Sequence, residues 1–140
     1  MTRGIVALLA LSGCRDSAED VADRFVEAYF VEASQDRAMR YATGLAKEKL
    51  QGELRLVAEV RAQGYTPDQA RARVRFFRHT LRLGSGQGQA GYEIMIQASA
   101  PAGAGSATRR SAYLGLRREA DGWRVSNYEV SETVSPRAPK

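Results

Sequence analysis

Two side chains are of types that can act as a nucleophile, a base or a metal ligand: the single cysteine, Cys14, and the single histidine, His79. One cysteine cannot form a disulfide within the chain. One cysteine and one histidine together cannot complete the four-ligand site of structural zinc. No serine or cysteine is placed to form a nucleophile pair with His79. We therefore expect no metal, no cofactor and no catalytic residues, so the protein is not expected to be an enzyme.

The segment before Cys14 has the layout of an export signal. Arg3 gives a short positive start, residues 5–11 are all apolar, and two small residues precede the cysteine. The sequence Leu11-Ser12-Gly13-Cys14 resembles the bacterial lipobox, in which the cysteine thiol is the nucleophile that accepts the lipid. The resemblance implies a signal peptide at 1–13, a lipidated tether at 14–16, and a chain that is anchored in the cell envelope and faces the periplasm. An aspartate directly after the lipidated cysteine favours retention in the inner membrane. Arg15 stands at that position instead, which favours the outer membrane.

Helix signals follow the tether. Ser17 with Asp20 three residues later forms a capping-box pattern, and apolar residues recur at helical spacing through Tyr29. We predict helices over residues 18–32, then a short one ending near Tyr41, then one over 44–63. Ser34 or Asp36 is expected to cap the second helix and Thr43 the third, and Gly64 is expected to end the third.

The hydrophobic period changes to two after Pro67, which indicates strands. The alternation changes parity at the pair Phe76 and Phe77, where we predict a β-bulge or a sharp bend that turns Phe77, His79, Leu81 and Leu83 inward. Further strands are centred on Ile94 and Leu114, and the turn at 121–122 leads into a fourth strand with Trp123 as a core anchor.

The composition suits one soluble globular domain of this kind. The chain has 140 residues, of which 44% are hydrophobic and 26% charged. The element order predicts an α+β fold over residues 17–131, with three N-terminal helices packed on a curved antiparallel sheet of about four strands. Residues 132–140, which contain two prolines, are predicted to form a disordered tail.

Three segments resemble the nuclear transport factor 2-like superfamily, the cone fold shared with ketosteroid isomerase. They are residues 21–30 (VADRFVEAYF), 36–41 (DRAMRY) and 121–128 (DGWRVSNY), and the chain looks most like the small bacterial lipoproteins with this fold. The resemblance implies a cone that could hold a small ligand, and it places Tyr29 near the family's helix-one tyrosine. The candidate cavity residues are Tyr29, Phe76, Ile94, Leu114 and Trp123. Glu48 and Asp68 are poor replacements for the family's carboxylate base.

Arginines are concentrated in the strand half. Residues 69–131 contain 10 basic and 4 acidic residues, whereas residues 15–68 contain 8 basic and 11 acidic ones. A charged sheet face can serve only to prevent aggregation, or it can bind an anionic partner such as lipid headgroups, an acidic glycan or an acidic protein. The candidate contact residues are Arg71, Arg73, Arg75, Arg78 and Arg82. A nucleic-acid partner is not expected for an exported lipoprotein.

Two classes of function remain open from the sequence. One is a membrane-anchored, non-catalytic binding or accessory module of the cell envelope. The other is a small-molecule carrier or enzyme that uses the cone cavity. A deep pocket with converging polar groups would favour the carrier or enzyme, and a cone filled by its own side chains would favour the binding module.

Overall fold

The computed structural model describes residues 15–64, 72–97 and 107–132 of the chain. Three helices come first: α1 (Ala18–Val26), α2 (Gln35–Met39) and α3 (Gly44–Ala62), and α1 continues with π-helical geometry over Glu27–Val31. Four strands follow: β1 (Arg73–Leu83), β2 (Gln87–Gln97), β3 (Ala107–Glu119) and β4 (Gly122–Glu132). The predicted α+β class and the order of helices and strands are confirmed.

Local sequence signals set the helix ends. The Ser17 hydroxyl accepts a hydrogen bond from the backbone N–H of Asp20, and the Asp20 carboxylate accepts one in return from the Ser17 backbone, so the capping box is present. Ser34, rather than Asp36, caps α2. Thr43 precedes α3 without capping it, because its hydroxyl donates instead to Glu119, 3.0 Å away.

The strands form an antiparallel meander in the order β1-β2-β3-β4. The inner face of this sheet packs on the helices, and the outer face carries the alternate side chains. The free edge of β4 is covered by the segment before α3, where Ala42 pairs with Val125. The β3–β4 turn consists of Ala120 and Asp121, and Gly122 already belongs to β4.

The predicted bulge in β1 is present but lies elsewhere. The register shifts between Arg78 and Thr80, so His79 is the extra residue. Phe76 and Arg78 therefore face inward, whereas Phe77 is 58% exposed and His79 is also exposed. Among the later residues, Leu81 packs against the core but Leu83 is 52% exposed. The inward placement predicted for Phe77 and His79 is wrong, because the parity changes two residues later than expected. Leu83 has the inward parity of Leu81 but lies at the end of β1, where it stays exposed.

The core lies between α1, α3 and the inner sheet face. Its largest fully buried side chains include Phe25, Leu50 and Tyr92. Trp123 was expected to be a core anchor, but it is only partly buried and packs against the edge of the core. Glu132, predicted to open the tail, is the last residue of β4.

Candidate functional site

The interior between the helices and the sheet is occupied by side chains. Of the five candidate cavity residues, Ile94 and Leu114 are buried, while Tyr29, Phe76 and Trp123 are partly buried and pack against the same cluster. Phe25 belongs to this cluster, and its ring lies 6.0 Å from that of Tyr29 and 5.4 Å from that of Tyr128. The five candidate cavity residues therefore pack against a shared core.

A carboxylate from α3 reaches this interior. Glu53 Oε1 accepts hydrogen bonds from the hydroxyls of Tyr29 (3.0 Å) and Tyr128 (2.8 Å), which joins α1, α3 and β4. Glu53 was not foreseen from the sequence. Of the two carboxylates judged there to be poor replacements for the family's base, Glu48 is exposed and Asp68 lies outside the described residues. The signal that could have identified Glu53 is its helical spacing: it lies three residues after the buried Leu50 and seven after the buried Ala46.

The hydroxyls of the two tyrosines in this cluster stay protonated and donate hydrogen bonds. Burial first, then the charge of Glu53 and the hydrogen bond to it, raise the pKa of Tyr29 to about 12. Burial and the hydrogen bond to Glu53 likewise raise the pKa of Tyr128 above its ordinary value. Because both hydroxyls are bonded to Glu53, the Tyr-Glu-Tyr cluster satisfies itself and does not present a row of free polar groups to a ligand.

A second polar cluster ties α1 to the sheet. Asp23 Oδ1 accepts hydrogen bonds of 2.6 Å from Arg78 Nη1 and from the hydroxyl of the fully buried Tyr92. Arg78 also contacts Glu19. Arg78 was expected on the open face of the sheet, but the bulge at His79 keeps it on the inner face, where two carboxylates of α1 pair with it. The expectation that Arg78 contacts an anionic surface is therefore wrong.

The outer sheet face presents a row of cations along β1. Arg73, Arg75 and Arg82 are exposed there and have no carboxylate within ion-pair distance among the residues the structure describes. We call these three the free arginines of β1. Arg71, the fifth candidate, lies outside the described residues. The exposed fraction of each free arginine is open to an anionic partner.

Most arginines of the later strands already have a partner. Arg109 pairs with Glu93, Arg110 with Glu132, Arg117 with Glu119 and Arg124 with Asp121, at distances of 2.8–3.0 Å. The excess positive charge of the outer face is therefore concentrated on β1.

Within residues 15–64, 72–97 and 107–132, no cluster of three His, Cys, Asp or Glu side chains could hold a metal ion.

Comparison with known proteins places the fold. No protein-family model matches the chain, and no curated protein matches it by sequence. A putative calcium/calmodulin-dependent protein kinase type II association domain from Thiobacillus denitrificans superposes with a TM-score of 0.60 at 16% identity, covering 85% of this chain and 97% of that one. VirB8 from Agrobacterium tumefaciens gives 0.51 at 14% identity, covering 84% and 92%. The chain has a nuclear transport factor 2-like fold.

A third solved structure has a similar architecture. The intermembrane space region of the chloroplast protein ARC6 superposes with a TM-score of 0.55 at 9% identity, covering 83% of this chain and 95% of that one. At these identities the likeness concerns the nuclear transport factor 2-like fold and not a shared site. No helix within the described part of the chain is long and apolar enough to cross a bilayer.

Proposed function

We propose that this chain is a lipid-anchored, non-catalytic binding module of the bacterial cell envelope that lies against an anionic surface. Cys14 would carry the lipid, with the outer membrane favoured, and the free arginines of β1 (Arg73, Arg75 and Arg82) would contact the surface. The observation that carries the proposal is their exposure on one sheet face without carboxylate partners among the described residues.

The position of the folded part relative to Cys14 supports this arrangement. The first cap, Ser17, is only three residues after Cys14. Three residues span at most about 10 Å when fully extended, which is close to one Debye length at physiological salt. A lipid on Cys14 would therefore hold the start of α1 close to the headgroups and keep the domain at the membrane surface.

The charge of the three arginines is sufficient for a measurable effect. Each basic residue near an anionic membrane contributes about 1 kcal/mol, so three contribute about 3 kcal/mol, or roughly a hundredfold in partitioning. The contribution falls with salt because exposed charges are screened. Two or more acyl chains on Cys14 would anchor the protein stably, so the arginines would decide how the domain lies on the membrane.

The alternative, a carrier or enzyme acting inside the cone, has weaker support. The five residues expected to line its cavity pack against a common core, and the hydroxyls of Tyr29 and Tyr128 are both bonded to Glu53. A ligand in that space would have to displace these contacts before it met a free polar group.

Cosedimentation with vesicles tests the proposal. Residues 15–140, which include every described residue and lack Cys14, are expected to bind phosphatidylglycerol vesicles and to remain free with phosphatidylcholine vesicles. Binding should weaken progressively as salt is raised. The triple variant Arg73→Gln, Arg75→Gln, Arg82→Gln should reduce binding to anionic vesicles by roughly a hundredfold, because it removes the free charges of β1.

The matched control removes the same net charge from the helical side. Arg40, Arg55 and Arg61 are exposed and have no ion pair within the described residues, so their triple change to glutamine alters the net charge equally. This control should keep most of the binding. Equal retention on both vesicle types would show that the charge only keeps the protein soluble. Equal loss in the two triple variants would show that net charge, and not the β1 face, drives the binding.

A further inference from the structure

The outer sheet face contains a groove that the proposed function does not use as a whole. Its volume is about 420 Å³, within the range of small-molecule sites. The groove follows two adjacent rows of the sheet, each running across all four strands. The first row is Thr80, Gly91, Tyr113 and Glu129; the second is Arg82, Gln89, Gly115 and Asn127.

Two glycines in neighbouring strands make the groove. Gly91 in β2 and Gly115 in β3 lie diagonally across the two rows, so neither position adds a side chain of its own to the groove. The His79 ring lies directly over Gly91, where an added Cβ would come within 2.7 Å of it. The same ring packs edge-on against Tyr113, with 6.3 Å between the centroids, and so supports the tyrosine that lines the groove.

Opposite charges stand at the two ends of the groove. Arg82 lies on β1 and Glu129 on β4, and neither has an ion-pair partner in the described ranges. Three strand spacings separate β1 from β4, which is about 14 Å. A ligand that satisfies both ends must therefore be elongated, with a negative group at one end and a positive group at the other.

The middle of the groove offers amide groups. Gln89 makes no hydrogen bond to another side chain of the described residues. Lys49 Nζ donates to the Asn127 carbonyl at 2.8 Å, which fixes that amide and leaves its N–H groups to donate. Side-chain amides match the donors and acceptors of peptide groups, so the centre of the groove suits a peptide backbone.

We propose that this groove binds a short zwitterionic peptide of about three or four residues. An extended peptide advances 3.3–3.6 Å per residue, so four residues span about 14 Å, and three residues span about 10 Å and rely on the length of the Arg82 side chain to reach both ends. The free carboxylate would lie against Arg82 and the free amine against Glu129, with the peptide groups between Gln89 and Asn127. An acidic sugar would leave Glu129 facing a like charge or no partner at all.

Titration of the full chain with tri-alanine tests the proposal, with binding followed through the NMR shifts of the Gly91, Tyr113 and Gly115 amides. The N-acetylated and the C-amidated peptides should each bind about fivefold more weakly, the upper end for an exposed ion pair. Arg82→Gln should weaken tri-alanine by about fivefold and leave the C-amidated peptide unchanged. Glu129→Gln should weaken tri-alanine similarly and leave the N-acetylated peptide unchanged.

The control is Arg75→Gln, which removes a charge from the same face outside the groove and should leave tri-alanine binding unchanged. The peptide proposal fails if free and blocked peptides bind alike, if the shifts fall outside the two rows, or if glucuronate binds more tightly than tri-alanine. It is separate from the membrane proposal, because Glu129→Gln should not reduce vesicle binding while Arg73→Gln with Arg75→Gln should.

Discussion

Replacing Phe25 by alanine is expected to destabilise the protein by about 3–5 kcal/mol. Phe25 is fully buried, and its ring packs between Tyr29 of α1 and Tyr128 of β4. The substitution leaves a cavity where the helices meet the sheet. Since a domain is typically stable by only about 5–15 kcal/mol, equilibrium denaturation should show a variant that is largely or partly unfolded at room temperature.

Phe77→Ala is the matched control, because it is the same chemical change at an exposed site. Phe77 lies on the outer face and is 58% exposed, so its truncation should change stability by no more than about 0.5 kcal/mol. The pair also tests the position of the bulge, since the sequence pattern placed Phe77 inside. A loss at Phe77 comparable to that at Phe25 would contradict the observed register of β1.

Asp23→Ala is expected to cost about 1.5–3 kcal/mol, as hydrogen bonds to a charged group do. Asp23 accepts from Arg78 and from Tyr92, and Tyr92 is fully buried. Burial and the hydrogen bond to Asp23 raise the pKa of Tyr92, so this hydroxyl stays a donor that needs an acceptor. Without Asp23, the hydroxyl loses that acceptor and α1 loses one of its two ionic contacts with the sheet. Urea denaturation measures the loss.

Asp16→Ala is the comparison for Asp23→Ala. Asp16 pairs with Arg24 at 3.0 Å, and both side chains are more than 40% exposed. An exposed pair contributes about 0–1 kcal/mol, so this variant should lose clearly less stability than Asp23→Ala. Tyr92→Phe separates the two contacts of Asp23, because it removes the hydroxyl and keeps the ion pair with Arg78. Equal stability of the Asp16 and Asp23 variants would mean that the inner cluster does not hold α1 on the sheet.

The sequence was sufficient to predict the elements and their order. Each strand shows a period of two, and the signals that start the helices at Ser17 and Ser34 act within one turn. Such features depend on neighbouring residues only. The fold class could therefore be predicted, together with the capping box and the left-handed glycine at position 64 that follows α3, with φ of 89°.

The parts that failed depend on contacts between distant residues. Phe76 and Phe77 are chemically identical, so periodicity could not say which of them faces the core. In the structure Phe76 packs against the ring of Tyr92, and Arg78 on the same face pairs with Asp23 across 55 residues of sequence. Glu53 was missed for a similar reason, because its partners Tyr29 and Tyr128 lie 24 and 75 residues away.

The outer groove is also a product of strand register. Gly91 and Gly115 look like ordinary strand residues in the sequence, and only the pairing of β2 with β3 sets them diagonally beside each other. The free arginines of β1, by contrast, could be predicted in part. Their alternation with apolar residues predicted the outer face for Arg73 and Arg75, and it placed Arg78 there wrongly.

The orientation of the lipidated protein on an anionic vesicle tests the central claim most directly. A lipid on Cys14 would block its thiol, so one introduced cysteine is the only site for a fluorophore. Phe77→Cys on β1 and Leu56→Cys on α3 replace large apolar side chains of similar exposure, 58% and 62%. With a quencher attached to the lipid headgroups, we expect strong quenching at position 77 and weak quenching at position 56. Equal quenching at both, or stronger quenching at position 56, would contradict the account.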